Sequence, residues 1–307
     1  MSGTVAAIKA RAAELDFVAC GITDLVPSEH GESLDRWLAS GFGGTMRYLH
    51  RQAKKRKDPR RIAREARTAV VVLDNYFHTG GDTSAPKVAR YARGTDYHRV
   101  TIDRLEQLAA QLRHLGAGWT RAFADAGPVP ERDLARRAGL GWIGKNTMLI
   151  RPGLGSWFFI GTVLTDLVLP ADQPQDTDRC GSCTRCLDAC PTSAFVEPMV
   201  LDATRCISYL TIEHRGEIPA DLAPRFEGWG FGCDICNEVC PWNERFAAPS
   251  PVEAFRPRRD SPAGRPEVFV AMTEAEFQTR FSDTPFERPG LERMRRNWRV
   301  ASEGGRG

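Results

Sequence analysis

CGSCTRCLDACP (Cys180–Pro191) and CDICNEVCP (Cys233–Pro241), with a lone Cys206 between them, hold eight of the chain's nine cysteines. The first run is C-x2-C-x2-C-x3-C-P and the second is C-x2-C-x3-C-P. A short loop of three cysteines reaches three irons of one cubane. The fourth cysteine, carried away on a helix with a proline behind it, reaches the other cluster. Three cysteines of one run therefore join the last of the other. Cys180, Cys183, Cys186 and Cys240 are assigned to one [4Fe–4S] cluster, and Cys190, Cys206, Cys233 and Cys236 to a second. Zinc knuckles use C-x2-C pairs but do not need the longer run, and disulfides need an oxidising compartment.

The rest of the chain is compatible with a reducing compartment. Its 307 residues, 42% hydrophobic and 26% charged, suit a soluble globular protein with room for two domains. A net charge of +3 demands no polyanionic partner by itself. The N-terminal MSGTVAAIKARAAELDF reads as an amphipathic helix broken by Lys9, Arg11, Glu14 and Asp16, without the apolar centre of a signal peptide. No apolar run is long enough to span a bilayer. Arg60–Arg61 lies too deep for a twin-arginine export signal. The expected location is the cytoplasm, where thiols stay reduced until metal is inserted.

Upstream of the cysteines, residues 4–16 read as a helix and residues 17–22 as a short buried strand containing Cys20, a small core residue. Ala69-Val70-Val71-Val72-Leu73 is a continuous apolar run, hence a strand buried on both faces. Val100 to Leu115 is a helix with Leu105, Leu108, Leu112 and Leu115 on one stripe and Gly116 as its stop. Residues 123–128 read as a turn carrying Asp125, and a helix follows from Pro130–Glu131 to Arg137. Residues 157–164 form another buried strand, and Pro170 to Asp178 a linker. After Pro241 come a helix at Thr273–Arg280 and a basic stretch from Arg293 to Arg299.

Between Arg47 and Arg67 the chain carries ten cations, offset only by Asp58 and Glu65. A solvated helix face is the usual reading of a charge run. The poor self-compensation, with Tyr48 and His50 among the cations, suits an RNA or phosphate partner. Gly139-Leu140-Gly141-Trp142-Ile143-Gly144 matches G-x-G-x-x-G, but a helix precedes it and an apolar stretch follows. A dinucleotide site needs the reverse order. These glycines are expected to end a helix and to allow close backbone approach to something flat.

Two clusters relay single electrons, and no flavin or nicotinamide fingerprint accompanies them. The chain is then either a ferredoxin-like shuttle or a reductase whose other redox centre has no linear motif. The D-x-H-x-x-G signature that supplies histidine to some cobalamins is absent; Asp96-Tyr97-His98 and Glu213-His214-Arg215 come near without fitting.

Several long motifs carry a resemblance. DAGPVPER (Asp125–Arg132), AGLGWIGKN (Ala138–Asn146), GSWFF (Gly155–Phe159), CISYLTIE (Cys206–Glu213), GCDIC (Gly232–Cys236) and CPWN (Cys240–Asn243) closely resemble epoxyqueuosine reductases, over nearly the whole chain to about Trp242. The resemblance implies reduction of epoxyqueuosine to queuosine at the wobble position of tRNA, by cobalamin and two [4Fe–4S] clusters. It implies Asp125 as proton donor, its pKa raised by burial beside the macrocycle. It places Arg56, Asp125, Leu149, Ile160, Ser208, Cys233 and Asp234 at cobalamin contacts, and Tyr97 and His98 at the substrate pocket. With no histidine ligand, the lower axial base is expected to be displaced.

The expected class is α+β. A cobalamin-binding catalytic domain with a mixed sheet fills residues 1–168, a ferredoxin-like two-cluster domain 169–245, and a short helical segment 246–307. Longer members carry a HEAT-like helical region that helps hold tRNA, and here the chain stops soon after Met294–Asn297. The expected partners are a tRNA with a GUN anticodon and a low-potential electron donor, with no membrane, and the expected state is a monomer. A ferredoxin-like electron carrier and a corrinoid reductive dehalogenase are the alternatives.

Overall fold

The computed structural model describes residues 2–175 and 177–304. The linker from Pro170 to Asp178 is therefore seen except at residue 176, which lies outside the described residues.

Four strands make the main sheet: β1 (Ala19–Asp24), β2 (Thr68–Asn75), β3 (Thr120–Ala124) and β4 (Phe158–Thr165), in spatial order β1-β2-β4-β3. Val70 pairs with Ile22 on one side and Val163 on the other, and Val163 in turn with Ala122. The class is α+β, as expected, but every pairing in this sheet is antiparallel rather than mixed. β2 and β3 do run the same way, joined by a long helix. β4 inserts between them and reverses each neighbour relation.

Both faces of the sheet are covered, which is why β2 reads as an unbroken apolar run. Successive side chains alternate. Val70 and Val72 meet Ile8 and Ala12 of α1 (Ser2–Glu14) on one face, while Ala69, Val71 and Leu73 join the other core. The basic helix α2 (Arg47–Lys57) lies outside these cores, with no buried residue. Helix α3 (Tyr97–His114) starts at Asp96, whose carboxylate accepts the His98 amide, and lays Leu105, Leu108 and Leu112 on the first face. Its approach depends on Gly161 of β4, where a Cβ would stand 3.0 Å from both Leu105 methyls. The second face holds Leu134 and Ala135 of α4 (Glu131–Arg137), with Leu140 and Leu149. Each such leucine contributes about 1.5–3 kcal/mol by leaving water. Cys20 sits half-buried in β1, its thiol pushed up to about 12, chiefly by burial.

Three sets of contacts hold the later half, two of them to the first half. Lys87–Val88 pairs in parallel with Trp229–Phe231. Helices α5 (Ile207–Ile212) and α6 (Gly290–Gly304) join through Arg296, which donates to the Leu210 carbonyl at 2.8 Å, and Trp298 stands against Gly230. Finally, buried Asn243 accepts the Ser156 amide at 2.6 Å and donates to the Ser156 hydroxyl at 2.9 Å and the Asn237 carbonyl at 2.8 Å. That last set ties the cysteine region to the start of β4.

Candidate functional site

The two cysteine runs form matching loops, each with a four-residue helix, Arg185–Asp188 and Ile235–Glu238, and these helices touch. All nine cysteines are free thiols. Cys190, Cys206, Cys233 and Cys236 line one cavity, with Thr192, Phe195, Ile207 and Ile235. The Cys190 sulfur accepts the Ala194 amide at 3.3 Å. The remaining set converges elsewhere. Burial, then the nearby Cys180, Cys240 and Cys183, pushes the Cys186 thiol up to about 11. Burial, then Cys206, raises Cys236, and Cys186 is also among its neighbours, so the two sets adjoin.

This donor set fits iron–sulfur clusters. Thiols crowded together with raised pKa ionise only when a metal's charge compensates them. Tetrahedral zinc would hold its sulfurs about 3.8 Å apart. Among the described residues no three cysteines bring their sulfurs within 4.8 Å of one another. The one trio at that spacing, Glu29, His30 and Asp133, already faces Arg136 and Arg137. Lys145 donates to the carbonyls of Gly181 and Cys183 at 2.6 and 3.0 Å, placing a cation beside the first loop.

Asp125 follows the last residue of β3, which the sequence reading did not recognise as a strand. Its backbone is left-handed, φ 53°, and its side chain is 63% exposed, so the protein alone does not supply the expected burial. The Tyr97 hydroxyl donates to Asp125 Oδ2 at 2.5 Å, and His98 Nε2 stands 3.7 Å from the same oxygen. Burial, then the charge of Asp125, raises the Tyr97 pKa, which keeps the phenol a neutral donor. Tyr97 stacks on Phe159 at 4.0 Å and His98 at 4.1 Å, and the His98 ring holds Asp96 at 2.8 Å. Glu131 Oε1 accepts the Asp125 amide at 2.7 Å.

The proposed cobalamin contacts fall into two groups. Arg56 donates to the Gly127 carbonyl at 2.8 Å, beside Asp125, and its Nε is buried with no partner. Leu149 and Ile160 belong to the core that also holds Val129. In the other group, Ser208 and Gly232, the neighbour of Cys233, both bond Thr211 of α5, at 3.2 and 3.0 Å. Asp234 accepts the Arg90 amide at 2.7 Å, and burial pushes its carboxyl up to about 6. Tyr91 bridges the groups. Its ring lies 5.9 Å from Tyr97, a Cβ on Gly232 would come within 3.2 Å of it, and both Asp125 and Asp234 act on its hydroxyl. Tyr91 and Glu131 had no role in the sequence reading, although Glu131 lies inside the motif DAGPVPER.

The G-x-G-x-x-G glycines behave differently from expectation. Gly139, φ 73°, does end α4, but Gly141 lies flat against the chain itself, where a Cβ would be 2.3 Å from the Ile150 carbonyl. In α2, Arg47, Arg51, Lys54 and Lys55 recur on one exposed face and have no carboxylate within 4.0 Å among the described residues. Tyr48, Gln52 and Arg56 take the inner face, toward Glu213 and the Asp125 loop.

Comparison with known proteins agrees with this geometry. A family described as "4Fe-4S double cluster binding domain" matches residues 179–243, where both thiol sets lie. The site and this match define an iron–sulfur protein of the two-cluster class. A second family, "Epoxyqueuosine reductase QueG, DUF1730", matches residues 56–126. The chain is 44% identical to the epoxyqueuosine reductase of Xanthomonas campestris pv. campestris, over 95% of this chain and 84% of that one. It is 40% identical to that of Cyclobacterium marinum, over 94% of each. The chain therefore belongs to the epoxyqueuosine reductase family. A crystal structure of epoxyqueuosine reductase with an epoxyqueuosine-modified tRNA-Tyr stem loop superposes with a TM-score of 0.86 at 27% identity, covering 99% of this chain and 82% of that one. A reductive dehalogenase whose structure suggests a mechanism for B12-dependent dehalogenation reaches 0.51 at 18% identity, a likeness of fold alone. Among the described residues no helix is long and apolar enough to cross a membrane.

Proposed function

We propose that this chain reduces the epoxide of epoxyqueuosine to the alkene of queuosine in tRNA. The observation that carries the reading is the contact path Asp125–Tyr97–Tyr91–Gly232, which joins an acid group to the second thiol set. Loss of the epoxide oxygen as water takes two electrons and two protons. Cys180, Cys183, Cys186 and Cys240 would hold one cluster, and Cys190, Cys206, Cys233 and Cys236 the other, and these would supply electrons one at a time from a low-potential donor. Cobalamin, when bound, supplies a strongly reducing cobalt centre. Arg56, with its buried unpartnered Nε, and the backbone at Ser208, Cys233 and Asp234 would hold it, with Leu149 and Ile160 on its apolar side.

Asp125 gives its proton to the oxygen leaving carbon, and Tyr97 orients that carboxyl through its hydrogen bond. The RNA partner is a tRNA with a GUN anticodon, and the unpaired cations of α2 offer a face for its phosphates. The working unit is a monomer in the cytoplasm. Reconstituted protein, cobalamin, a strong reductant and epoxyqueuosine-containing tRNA should yield queuosine by mass analysis of the nucleosides. Unchanged epoxyqueuosine under fully reduced, corrinoid-loaded conditions overturns the reading.

A further inference from the structure

The Asp125 loop is held in a conformation its own residues do not favour. Asp125 is left-handed and Gly127 has φ 139°, with the Phe123 ring 2.8 Å from where a Cβ would stand. The left-handed Asp125 costs on the order of 1–3 kcal/mol and persists only when the surroundings hold it, whereas the Gly127 conformation is one that glycine adopts freely. The segment has few backbone bonds to hold it: Pro128 and Pro130 bring no amide, and Ala126 bonds only locally, to the Ala124 carbonyl at 2.6 Å. The restraint comes instead from two polar side chains on other elements. Glu131, at the start of α4, takes the Asp125 amide at 2.7 Å. Arg56 of α2 reaches the Gly127 carbonyl at 2.8 Å and the Val129 carbonyl at 3.5 Å, and is itself braced by Gln52 at 3.1 Å.

We propose that Glu131 is a positioning residue which, with Arg56, latches the Asp125–Pro130 loop so that the Asp125 carboxyl faces Tyr97. Glu131 acts through a backbone amide and need not touch substrate. Its own state suits the task. Burial, then the charge of Asp125, raises the Glu131 carboxyl above the usual carboxylate range, against the opposing pull of Arg56 and Arg132. An uncharged carboxyl still accepts through its carbonyl oxygen, so a neutral amide of the same shape is a faithful replacement. Arg132 is engaged elsewhere, at the Thr147 carbonyl.

The kinetic arm of the test rests on Asp125 being the acid; the exchange arm does not. Hydrogen exchange of the peptide carrying the Asp125 amide, in cluster-loaded protein, should accelerate roughly tenfold in Glu131→Ala, as a lost hydrogen bond to a carboxyl implies. In that variant kcat should fall roughly tenfold, with KM for tRNA within about twofold and cluster absorbance unchanged. Glu131→Gln should restore both exchange and kcat to within about threefold of wild type. Glu131→Ser, compatible with a helix start but too short to reach Asp125, should repeat the alanine result and serves if alanine misfolds. Unchanged exchange in the alanine and serine variants overturns the latch. So does a glutamine variant as impaired as alanine, because charge and not the acceptor would then matter. If the wild type itself leaves epoxyqueuosine unreduced, the functional reading fails while the exchange result still decides the latch.

Discussion

In the cysteine loops the chemistry comes from residues three or four positions apart, on and beside helices of four residues. In the Asp125 pocket it comes from positions 56, 97, 125 and 131, on four different elements. Cluster ligands need only reach a rigid inorganic body that fixes their geometry, so local spacing suffices. An acid must be aimed by the protein itself, so its supports arrive from distant parts of the chain. The first region is therefore sensitive to single ligands, and the second to the residues behind the reacting one.

That contrast can be broken experimentally. Cys206→Ala should remove one cluster, taking bound iron from about eight towards about four per chain, with turnover lost. Full iron retention would show that Cys206 is not a ligand. Asp125→Asn should lower kcat by roughly 10^3 while iron content and tRNA affinity stay as in wild type, by single-turnover assay and filter binding. Loss of corrinoid in that variant would move Asp125 from catalysis to binding.

Stability separates the regions next. Asp74, fully buried under Arg104 and Thr101, has its carboxyl pushed up to about 6 by burial, so the folded protein keeps a proton that the unfolded chain sheds near pH 4. Stability contributed by that proton falls as pH rises from about 4 to about 6, by up to roughly 3 kcal/mol. The difference in urea midpoint between wild type and Asp74→Asn should narrow over that range. A constant difference would show that Asp74 is ionised throughout. Asn243→Ala, at the joint between the regions, should cost about 1–3 kcal/mol and slow electron delivery to the pocket. Smallest is the effect of the α2 face: each of Arg47, Arg51, Lys54 and Lys55 changed to Gln should reduce the slope of log affinity for tRNA against log salt by up to about 0.9.

The same contrast explains what could be read in the chain before its fold was seen. β3 has no run like that of β2: Thr120-Arg121-Ala122-Phe123-Ala124 is a half-buried edge strand whose apolar signal is too short to stand out. β2, buried at every position, announced itself. The long helix was legible from its leucine stripe, whereas the sheet's direction was not, because nothing local tells β4 to enter between β2 and β3. Among site residues the cysteines followed from spacing and Asp125 only from resemblance. Tyr91 and Glu131 carry no local signature, since their importance lies in what the fold brings to them. The motif DAGPVPER did contain both ends of the Glu131–Asp125 bond, six residues apart.

Cys20 gives the two-cluster reading one further consequence, for assembly. A sulfur joins iron or exchanges with a disulfide only as its thiolate. With its thiol pushed up to about 12, Cys20 stays protonated through the physiological range. On the proposed assignment eight sulfurs take metal, and the ninth packs against the core of Ile8, Val70 and Leu108 instead. Its surroundings in β1 are apolar side chains of the sheet core, well apart from the cavity lined by Cys190, Cys206, Cys233 and Cys236.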